Sequence, residues 1–482
     1  MFGVETWSLA ATLHGLIWLG VLLRVVSRRL YPGSALAWLL LVASVPYGGL
    51  VLYVLIGERP LGRRRMARLR ALYPPGHPWL APPVRSLAAQ PPKLTPAQDS
   101  LARLAAQVLE APVESGGRIA LFSGAEPTLQ ALTRDIDDAR HHCHFAFYIW
   151  QAGGQADEVG EALIRAAGRG VTCRVLLDAV GSGPFLRSPW PQRLRAAGIE
   201  VKAALPVGLL RALFVRMDLR LHRKIAVIDG RIAYTGSLNL IDPREFRRQA
   251  GVGEWVDAMA RVEGPPAEAL DRVFRRDWVA EGGRLASPSA TGTPDRIEAG
   301  GAAMHVAPSG PDFPQDNLRR LLLTALYEAR QELVITTPYF VPDEAVVLAL
   351  ESAAQRGVQV TLIVPARVDS RLVRHASRSF FDDLMSAGVR ICQFHGGLLH
   401  TKSITVDGEI TLFGSSNLDI RSLRLNFEVT LIAYDRPFTA SVRQLQTAYE
   451  ADSVALDLAA WRKRSRARRF LENVLRLASP LL

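Results

Sequence analysis

The chain has 482 residues and a formal net charge of +12, with 58 Lys and Arg against 46 Asp and Glu. This excess of positive charge indicates an anionic partner, either lipid headgroups or nucleic acid. Three cysteines, Cys143, Cys173 and Cys392, are too few and too scattered for a disulfide framework, so we expect small buried residues of a protein that meets a reducing compartment.

Two apolar segments begin the chain. No Asp, Glu, Lys or Arg occurs from Trp7 to Leu23 or from Tyr31 to Gly57, and each segment is close to the ~20 residues that a helix needs to cross a bilayer. We therefore predict a two-helix membrane anchor over residues 1–60, with a re-entrant hairpin kinked near Pro46 as the alternative. A cleaved signal peptide fits poorly, because no basic residue precedes the first apolar run.

Basic residues follow the second apolar segment. Six arginines lie between Arg59 and Arg70, and only Glu58 precedes them as an opposing charge. Because basic segments stay on the cytoplasmic side, this cluster predicts a multi-pass membrane protein whose catalytic region faces the cytoplasm. Residues 61–97 are expected to form a basic and proline-rich linker. The membrane anchor favours lipid over nucleic acid as the anionic partner.

The rest of the chain repeats one order of predicted elements. In each half, a segment of helical period leads into an aromatic strand, and a second helix ends at Arg-Gly before a buried apolar strand. This alternation predicts an α/β fold with a mixed sheet flanked by helices in each half, and repeats of this length exclude a solenoid. The predicted halves are residues 98–282 and 313–460, separated by a linker over 283–312.

One motif occurs once in each half with identical internal spacing. Its His and Lys lie two apart on a predicted strand, so both side chains leave the same face. The Asp that follows precedes a Gly, and Asp-Gly is a hairpin-turn dipeptide. The first copy comprises His222, Lys224, Asp229, Ser237 and Asn239, and the second comprises His400, Lys402, Asp407, Ser415 and Asn417.

These residue types suit the cleavage of a phosphodiester. One histidine can attack phosphorus and form a phosphoryl-histidine while the other protonates the departing oxygen. The lysines and the Ser and Asn groups can donate to the non-bridging oxygens. Each half has a single motif histidine, so we predict one site at the interface of two halves related by a pseudo-twofold axis. The scheme requires no metal and no cofactor.

Carboxylates are expected to orient the two histidines. Asp257 and Glu428 occupy equivalent positions after the two motifs and are the candidates, although Asp257 could instead face solvent from an edge strand. Asp229 and Asp407 are predicted as members of the catalytic set, with a structural role in the hairpin turn as the alternative. The tract from His141 to His144 resembles a metal-ligand cluster, but adjacent residues point in different directions, so a metal site is not expected there.

Two further segments suggest contact with lipid. Residues 461–482 predict a basic amphipathic helix suited to an anionic interface, with an ordinary surface helix packed on the domain as the alternative. The apolar run from Pro206 to Val215 is interpreted either as a lipid-facing entrance or as a segment buried against the core.

The paired motifs resemble the phospholipase D superfamily, and the chain is similar over nearly its whole length to the bacterial cardiolipin synthases within it. This resemblance depends on the two apolar segments, the run from Phe413 to Ser422, and the segment from Leu425 to Glu428. It implies two phospholipase D-like repeats that form a pseudo-twofold bilobal catalytic domain preceded by two transmembrane helices. Two positions differ from residues that are common in relatives: Leu221 stands where many have Asn, and Gly408 stands where an acidic residue is common. The change at Leu221 affects the expected contacts to the substrate headgroup.

The resemblance also implies an activity and a location. The expected reaction transfers a phosphatidyl group from one phosphatidylglycerol to another and releases glycerol, with His222 as nucleophile and His400 as acid, in the inner membrane of a bacterium. Alternatives are hydrolysis of phospholipids to phosphatidic acid, a phosphatidylethanolamine donor, a nuclease, and an inactive lipid-binding scaffold. The oligomeric state is not predicted.

Overall fold

A computed structural model describes residues 2–28, 32–57, 61–72, 93–208, 216–246, 250–285, 301–313 and 316–477. Two compact units make up the fold, one of Met1–Met66 with Val207–Leu219 and the other of Ala67–Pro206 with Arg220–Leu482. Most of the apolar run after Pro206, residues 73–92 of the first predicted linker and residues 286–300 of the second lie outside the described residues.

The first unit consists mainly of the two apolar segments, which are helical. They form α1 (Phe2–Ser27), α2 (Pro32–Ser44), α3 (Pro46–Leu52) and a π-helical turn over Tyr53–Gly57. Val21 and Val25 of α1 pack with Val42 of α2 and Tyr53 in a small core.

The prediction of two transmembrane helices is not confirmed. None of the described helices is both long enough and apolar enough to cross a membrane. The second segment is interrupted at Val45, because the proline at position 46 lacks an N–H group and its ring hinders continuation of the helix. The longer piece, α2, therefore has only 13 residues.

The second unit contains a mixed sheet of 15 strands, whose order confirms the duplication. Its first-half strands are β1 (Glu114–Ser123), β2 (His142–Phe147), β3 (Thr172–Asp178), β4 (Glu200–Ala204), β5 (Lys224–Ile228), β6 (Ile232–Gly236) and β8 (Ala258–Glu263). Its second-half strands are β9 (Ala302–Ser309), β10 (Glu332–Thr336), β12 (Gln359–Pro365), β13 (Arg390–Phe394), β15 (Ser403–Val406), β16 (Ile410–Gly414), β18 (Glu428–Ala433) and β19 (Ser453–Ala455).

The two halves meet edge to edge at the centre of this sheet. Outward from the junction the order is β1-β8-β6-β5-β2-β3-β4 in one direction and β9-β18-β16-β15-β10-β12-β13-β19 in the other. Seven strands thus correspond one to one, and β19 is an addition at the far edge. The junction is an antiparallel pairing of β1 with β9, which joins Glu114 to Met304 and Gly117 to Ala302. A pseudo-twofold relation between the halves follows from this mirrored order.

Four short strands lie outside this sheet and form two small pairs. Their bounds are β7 (Trp255–Val256), β11 (Phe340–Val341), β14 (Leu398–Leu399) and β17 (Leu418–Asp419). Strand β11 pairs with β17 within the second half, whereas β7 of the first half pairs with β14 of the second half.

Helices cover both halves of the sheet. Those of the first half follow α4 (Arg63–Leu72) and are α5 (Pro96–Leu109), α6 (Ala125–Asp137), α7 (Gln155–Gly168), α8 (Gly183–Leu186), α9 (Trp190–Ala196) and α10 (Pro265–Ala280). Those of the second half are α11 (Asn317–Glu328), α12 (Glu344–Gln355), α13 (Arg371–Arg378), α14 (Phe381–Ser386), α15 (Ile420–Arg424), α16 (Arg436–Ala451), α17 (Leu458–Arg462) and α18 (Arg466–Arg476).

Tight hairpins give both motifs the same geometry. The turn between β5 and β6 contains Asp229 and Gly230 with φ of 54° and 66°, and the turn between β15 and β16 contains Asp407 and Gly408 with φ of 50° and 67°. Two consecutive residues with positive φ are the requirement of the type I′ turn, which Asp-Gly meets at low cost. The three cysteines are free and buried, as expected.

Candidate active site

Backbone pairing between the halves brings the two motif histidines into one region. Strand β7 of the first half pairs in parallel with β14 of the second, and His400 N donates to Val256 O at 2.8 Å. The symmetric contact is a bridge between Leu221 and Phe427, where His222 N donates to Phe427 O at 2.9 Å. Each histidine is therefore held by the backbone of the opposite half.

The imidazole rings are oriented in the same crossed manner. His222 Nδ1 lies 2.9 Å from the Glu428 carboxylate, and His400 Nδ1 lies 2.7 Å from Asp257 Oδ1. All four side chains are buried. A carboxylate on Nδ1 fixes that nitrogen as the proton donor, which leaves Nε2 of each ring for chemistry. The structure thus brings each predicted orienting residue to the histidine of the other half.

The motif serines support these carboxylates. Ser237 Oγ donates to Asp257 Oδ1 at 2.6 Å and accepts from Ala258 N at 3.0 Å. Ser415 Oγ donates to Glu428 Oε2 at 2.6 Å and accepts from Val429 N at 2.9 Å. Each hydroxyl hydrogen is therefore directed to a carboxylate, so the geometry gives the serines a supporting role instead of the predicted donation to phosphate oxygens.

The carboxylates are held in the ionised form. Although burial opposes it, His400, which donates its Nδ1–H to the carboxylate, keeps the pKa of Asp257 below its usual value. Burial is likewise outweighed at Glu428, where His222 lowers the pKa of the carboxyl.

Two buried lysines lie beside the histidines. Lys224 Nζ donates to His222 O at 2.7 Å, and Lys402 Nζ donates to His400 O at 2.6 Å. Burial lowers the pKa of Lys224 to about 8, and it lowers the pKa of Lys402 well below the usual value. An ammonium has three donors, and each lysine uses one of them on a motif carbonyl.

Charges of both halves act on both histidines. The pKa of His222 is lowered to about 4, mainly by burial, with smaller contributions from Lys224 and from Lys402 of the other half. The pKa of His400 is lowered to about 3, mainly by burial, then by Lys402, with a smaller contribution from Lys224 of the first half. Both imidazoles are therefore neutral near pH 7 when no anion is bound, each with an Nε2 lone pair available for attack or for accepting a proton.

The two motif asparagines differ in their contacts. Asn239 Oδ1 accepts from Ile149 N at 3.1 Å, and its buried amide nitrogen has no hydrogen-bond partner in the described structure. Asn417 Nδ2 instead donates to Asp419 Oδ2 at 3.1 Å. Burial raises the pKa of Asp419 to about 6. Asn239 therefore retains both N–H donors for a bound anion, whereas Asn417 uses one of its two on a carboxylate.

The structure does not bring Asp229 and Asp407 to the motif histidines, and their contacts favour the predicted alternative, a structural role in the hairpin turn. Asp229 accepts from the backbone N–H groups of residues 140, 141 and 142 at 2.7–2.9 Å, and Asp407 accepts from residues 330, 331 and 332 at 2.8–2.9 Å. Each lies at the far end of a strand from its lysine, about 17 Å away at the usual rise per residue. They connect the hairpin to the start of β2 or β10.

Sequence reasoning missed two aromatic residues that contact the histidines. The Tyr148 ring centroid lies 4.8 Å from that of His222, and the Trp255 ring centroid lies 4.3 Å from that of His400. Tyr148 also lies under Lys224, whose Nζ is 5.5 Å from the ring centroid. Tyr148 follows the aromatic strand β2, and Trp255 begins the Trp-Val-Asp segment. Neither residue has an aromatic counterpart at the same position of the other half, so a comparison of the two halves did not point to them.

Two histidines of the tract from His141 to His144 point in the same direction, contrary to the expectation that the side chains of this tract diverge. His142 and His144 lie two apart on β2 and share a face, and with Asp271 of α10 they place three ligand atoms within 4.8 Å of one another. Arg174 Nη1 lies 3.2 Å from His144 Nε2, and Arg275 Nε lies 2.5 Å from Asp271 Oδ2. Two positive charges at this distance oppose a bound cation, and we assign no metal to the cluster.

Comparison with known proteins agrees with this geometry. The family described as "Cardiolipin synthase, PLD-like domain" matches residues 132–278 and 322–451. Cardiolipin synthase A of Escherichia coli O1:K1 / APEC is 45% identical over 494 residues, covering 100% of this chain and 99% of the relative. The same values hold for cardiolipin synthase A of Escherichia coli strain K12 / DH10B.

A solved structure shares the fold. The crystal structure of phosphatidylserine synthase from Haemophilus influenzae Rd KW20 superposes with a TM-score of 0.54 at 16% sequence identity, covering 76% of this chain and 95% of that one.

Proposed function

The chain belongs to the phospholipase D-like cardiolipin synthase family, and from that membership we propose that it joins two phosphatidylglycerol molecules into cardiolipin and glycerol. The observation that carries the proposal is the crossed arrangement of His222 with Glu428 and of His400 with Asp257. It provides two imidazoles with a free Nε2 in one buried site, which is what a two-step transfer through a phosphatidyl-histidine requires.

In the proposed first step, His222 Nε2 attacks the phosphorus of one phosphatidylglycerol. The bond from phosphorus to the headgroup glycerol oxygen breaks, and His400 gives that oxygen a proton, so that glycerol leaves. In the second step, His400 takes a proton from a headgroup hydroxyl of the second phosphatidylglycerol. The oxygen attacks phosphorus, the phosphorus–nitrogen bond breaks, and cardiolipin forms. The order of the two histidines follows the family resemblance.

Binding of the anionic substrate allows His400 to take from solvent the proton that the first step needs. Without an anion both histidines are neutral near pH 7, because burial lowers both pKa values. A phosphodiester brings a negative charge next to the rings and the two lysines, and an adjacent negative charge raises the pKa of a histidine. The acid is thus charged when substrate is bound. Lys224 and Lys402 then neutralise the charge that develops on the phosphoryl oxygens.

Burial supports an alcohol rather than water as the acceptor. His222, His400 and both lysines are buried, and a site that excludes water protects a phosphoryl-histidine from hydrolysis. Hydrolysis to phosphatidic acid remains the second candidate, because it uses the same intermediate. A phosphatidylethanolamine donor would change only the leaving group.

We further propose that residues 1–60 attach the protein to the bacterial inner membrane, with the catalytic unit in the cytoplasm. Exposed apolar side chains on α1 and α2 support this, among them Leu16, Leu23, Leu36 and Leu40. Contact with acyl chains would remove them from water. Residues 98–282 remain the proposed first half of the catalytic unit. The proposed second half, 313–460, is extended to residue 302, because β9 (Ala302–Ser309) lies within the predicted linker 283–312 but pairs with β18 in the second-half sheet.

Lipid analysis tests the proposed reaction. Expression in a bacterial host that lacks cardiolipin should produce a cardiolipin band, and purified protein given only phosphatidylglycerol should release one glycerol per cardiolipin. His222→Asn and His400→Asn should each abolish the band while the protein remains folded. Phosphatidic acid without cardiolipin would favour hydrolysis, and a full band from either variant would refute the shared site. Headgroup-labelled phosphatidylethanolamine that released ethanolamine would identify the other donor.

A further inference from the structure

Helix α18 packs on the catalytic unit through its charged side. Its only buried residue is Glu472, which is 1% exposed. The Glu472 carboxylate forms ion pairs with Arg378 of α13 at 2.9 Å, with Arg464, and with Arg468 at 3.6 Å. The helix is therefore fixed in place by a buried carboxylate within a group of arginines.

The apolar side of α18 faces outward. Phe470 is 72% exposed and Leu477 is 81% exposed, and Leu471, Val474 and the neighbouring Leu372 of α13 are exposed as well. An amphipathic helix of a soluble domain normally turns its apolar stripe to the core. The reverse orientation places an apolar patch on the surface, and such patches indicate a site of interaction.

Positive charge dominates the same surface. Residues 371–386 and 458–477 together contain ten Lys and Arg residues and three Asp and Glu residues. A cavity of about 290 Å³ between α13, α14 and α18 is lined by Arg378, Arg464, Arg469, Arg476, Asp382, Asp383 and Glu472. Burial lowers the pKa of Arg378 and of Arg464, so these cations are partly desolvated beside like charges. An anion in the cavity would relieve that cost.

We infer that α13 and α18 form a docking surface for an anionic lipid bilayer. Phe470, Leu471, Val474 and Leu477 enter the boundary of the acyl chains, the exposed arginines contact lipid phosphates, and the cavity receives one headgroup. Two copies of a surface this basic would repel each other, and nucleic acid would leave the apolar side chains in water. The inference rests on the proposed function only in placing the substrates in a bilayer.

A fluorescent label on α18 tests the docking directly. Val474→Cys can be labelled with bimane in the full chain, because the three native cysteines are buried. In vesicles of phosphatidylglycerol and brominated phosphatidylcholine the label should be quenched, whereas a label at Tyr327→Cys, an exposed aromatic position near the end of α11, should not. Quenching of both labels to the same extent would overturn the assignment of the surface to α13 and α18.

Charge variants identify the source of the attraction. Each basic residue at an anionic surface strengthens binding about 5-fold, so Arg466→Gln with Arg469→Gln should raise the phosphatidylglycerol fraction at half-maximal quenching several-fold. The matched double variant Arg103→Gln with Arg165→Gln removes two exposed arginines elsewhere and should leave it unchanged. A label that stays in water in phosphatidylglycerol vesicles would refute the proposal. So would burial of the label at rising protein concentration without lipid, which would indicate self-association.

Activity in mixed micelles separates this inference from the proposed function. Substrate in a micelle reaches the site without a bilayer, so the single variant Arg466→Gln, which lies outside the cavity lining, should make cardiolipin at the wild-type rate there while needing a higher phosphatidylglycerol fraction for quenching in vesicles. Wild-type protein that is quenched in vesicles but makes no cardiolipin in micelles would refute the reaction and leave the docking surface standing.

Discussion

At the scale of single residues, Asp257 and Glu428 set the state of both reacting groups. Each accepts from the Nδ1 of a histidine that lies in the other half of the chain, and each is fixed by a motif serine. An amide in place of either carboxylate keeps the shape but removes the charge that selects the tautomer. The orientation of each motif histidine therefore depends on a side chain of the other half.

Asp257→Asn and Glu428→Gln should each lower kcat by about 10²–10⁴-fold, as loss of the orienting carboxylate does in comparable sites. The variants should retain the fold, which thermal unfolding can verify. A double-mutant cycle on stability supplies the control. Asp257 with His400 and Glu428 with His222 should show coupling of about 0.5–3 kcal/mol, because each pair is in contact. Asp257 with His222 should show almost none, and strong coupling there would contradict the crossed pairing.

Asp229 and Asp407 should matter for stability rather than for catalysis. Asp229→Ala removes an acceptor from three backbone N–H groups, which costs about 1–3 kcal/mol, and places alanine at a positive φ. Asp229→Asn should cost less, because asparagine tolerates that backbone conformation and keeps one oxygen. Unfolding midpoints and kcat of both variants distinguish a role in stability from a role in catalysis. A 100-fold loss of kcat in the folded Asn variant would restore a catalytic role.

At the scale of elements, Arg223 at the start of β5 links three segments. Its Nε donates to Glu428 O at 2.9 Å, its Nη2 donates to Ser309 O at 3.1 Å, and its guanidinium forms a buried ion pair with Asp277 of α10. The second motif has Thr401 at the equivalent position, which contacts Tyr449 instead. This arginine thus holds strands of the second half against the first.

Arg223→Met should destabilise the protein by about 3–5 kcal/mol, because it leaves the carboxylate of Asp277 buried without its cation. The double variant Arg223→Met with Asp277→Leu removes both charges and should recover part of the loss. Chemical denaturation of the three proteins provides the comparison. A single variant as stable as wild type, or a double variant less stable than the single one, would show that the ion pair does not hold these segments.

The elements also show which features the sequence could reveal. Both hairpins were predictable, because Asp-Gly between alternating strands specifies the turn locally. The pairing of β7 with β14 was not, because two strands of two residues have no pattern and the contact joins distant parts of the chain. The proline at 46 was interpreted as a possible kink, whereas the helix ends at Ser44 and a new one begins at the proline.

At the scale of the whole molecule, duplication makes one continuous sheet with a single composite site. The repeat and the α/β class could be predicted, because spacing and hydrophobic period survive in the sequence. The edge-to-edge junction of β1 and β9 could not, since nothing in either strand specifies its partner. The crossing of carboxylates and histidines is a consequence of that junction.

Acid should destabilise the folded chain. Burial lowers the pKa of His142, His222 and His305 to about 4 and that of His400 to about 3. Their unfolded values are near 6.5, so between pH 6.5 and 4 the unfolded state binds more protons and stability falls with falling pH. Burial raises the pKa of Glu114 to about 7 and that of Asp419 to about 6. These two carboxyls bind protons more readily in the folded state, so they increase stability as the pH falls. Each net proton contributes about 1.4 kcal/mol per pH unit.

Four histidines outweigh two carboxyls, so the free energy of unfolding should decrease from pH 6.5 to pH 4. Denaturant titrations across this range measure the slope. His305→Asn, which removes one of these groups far from the reacting atoms, should make the slope shallower. A stability that rises as the pH falls through this window would contradict the burial of neutral histidines.

The most direct test of the single composite site is the number of phosphatidyl groups that one chain can carry. Purified protein would be mixed with phosphatidylglycerol labelled at phosphorus, quenched in acid during turnover, and the labelled histidine identified. One shared site predicts at most one adduct per chain, located on His222 and absent from His222→Asn. Two adducts per chain, or label on both His222 and His400, would mean that the halves react independently and would contradict the account.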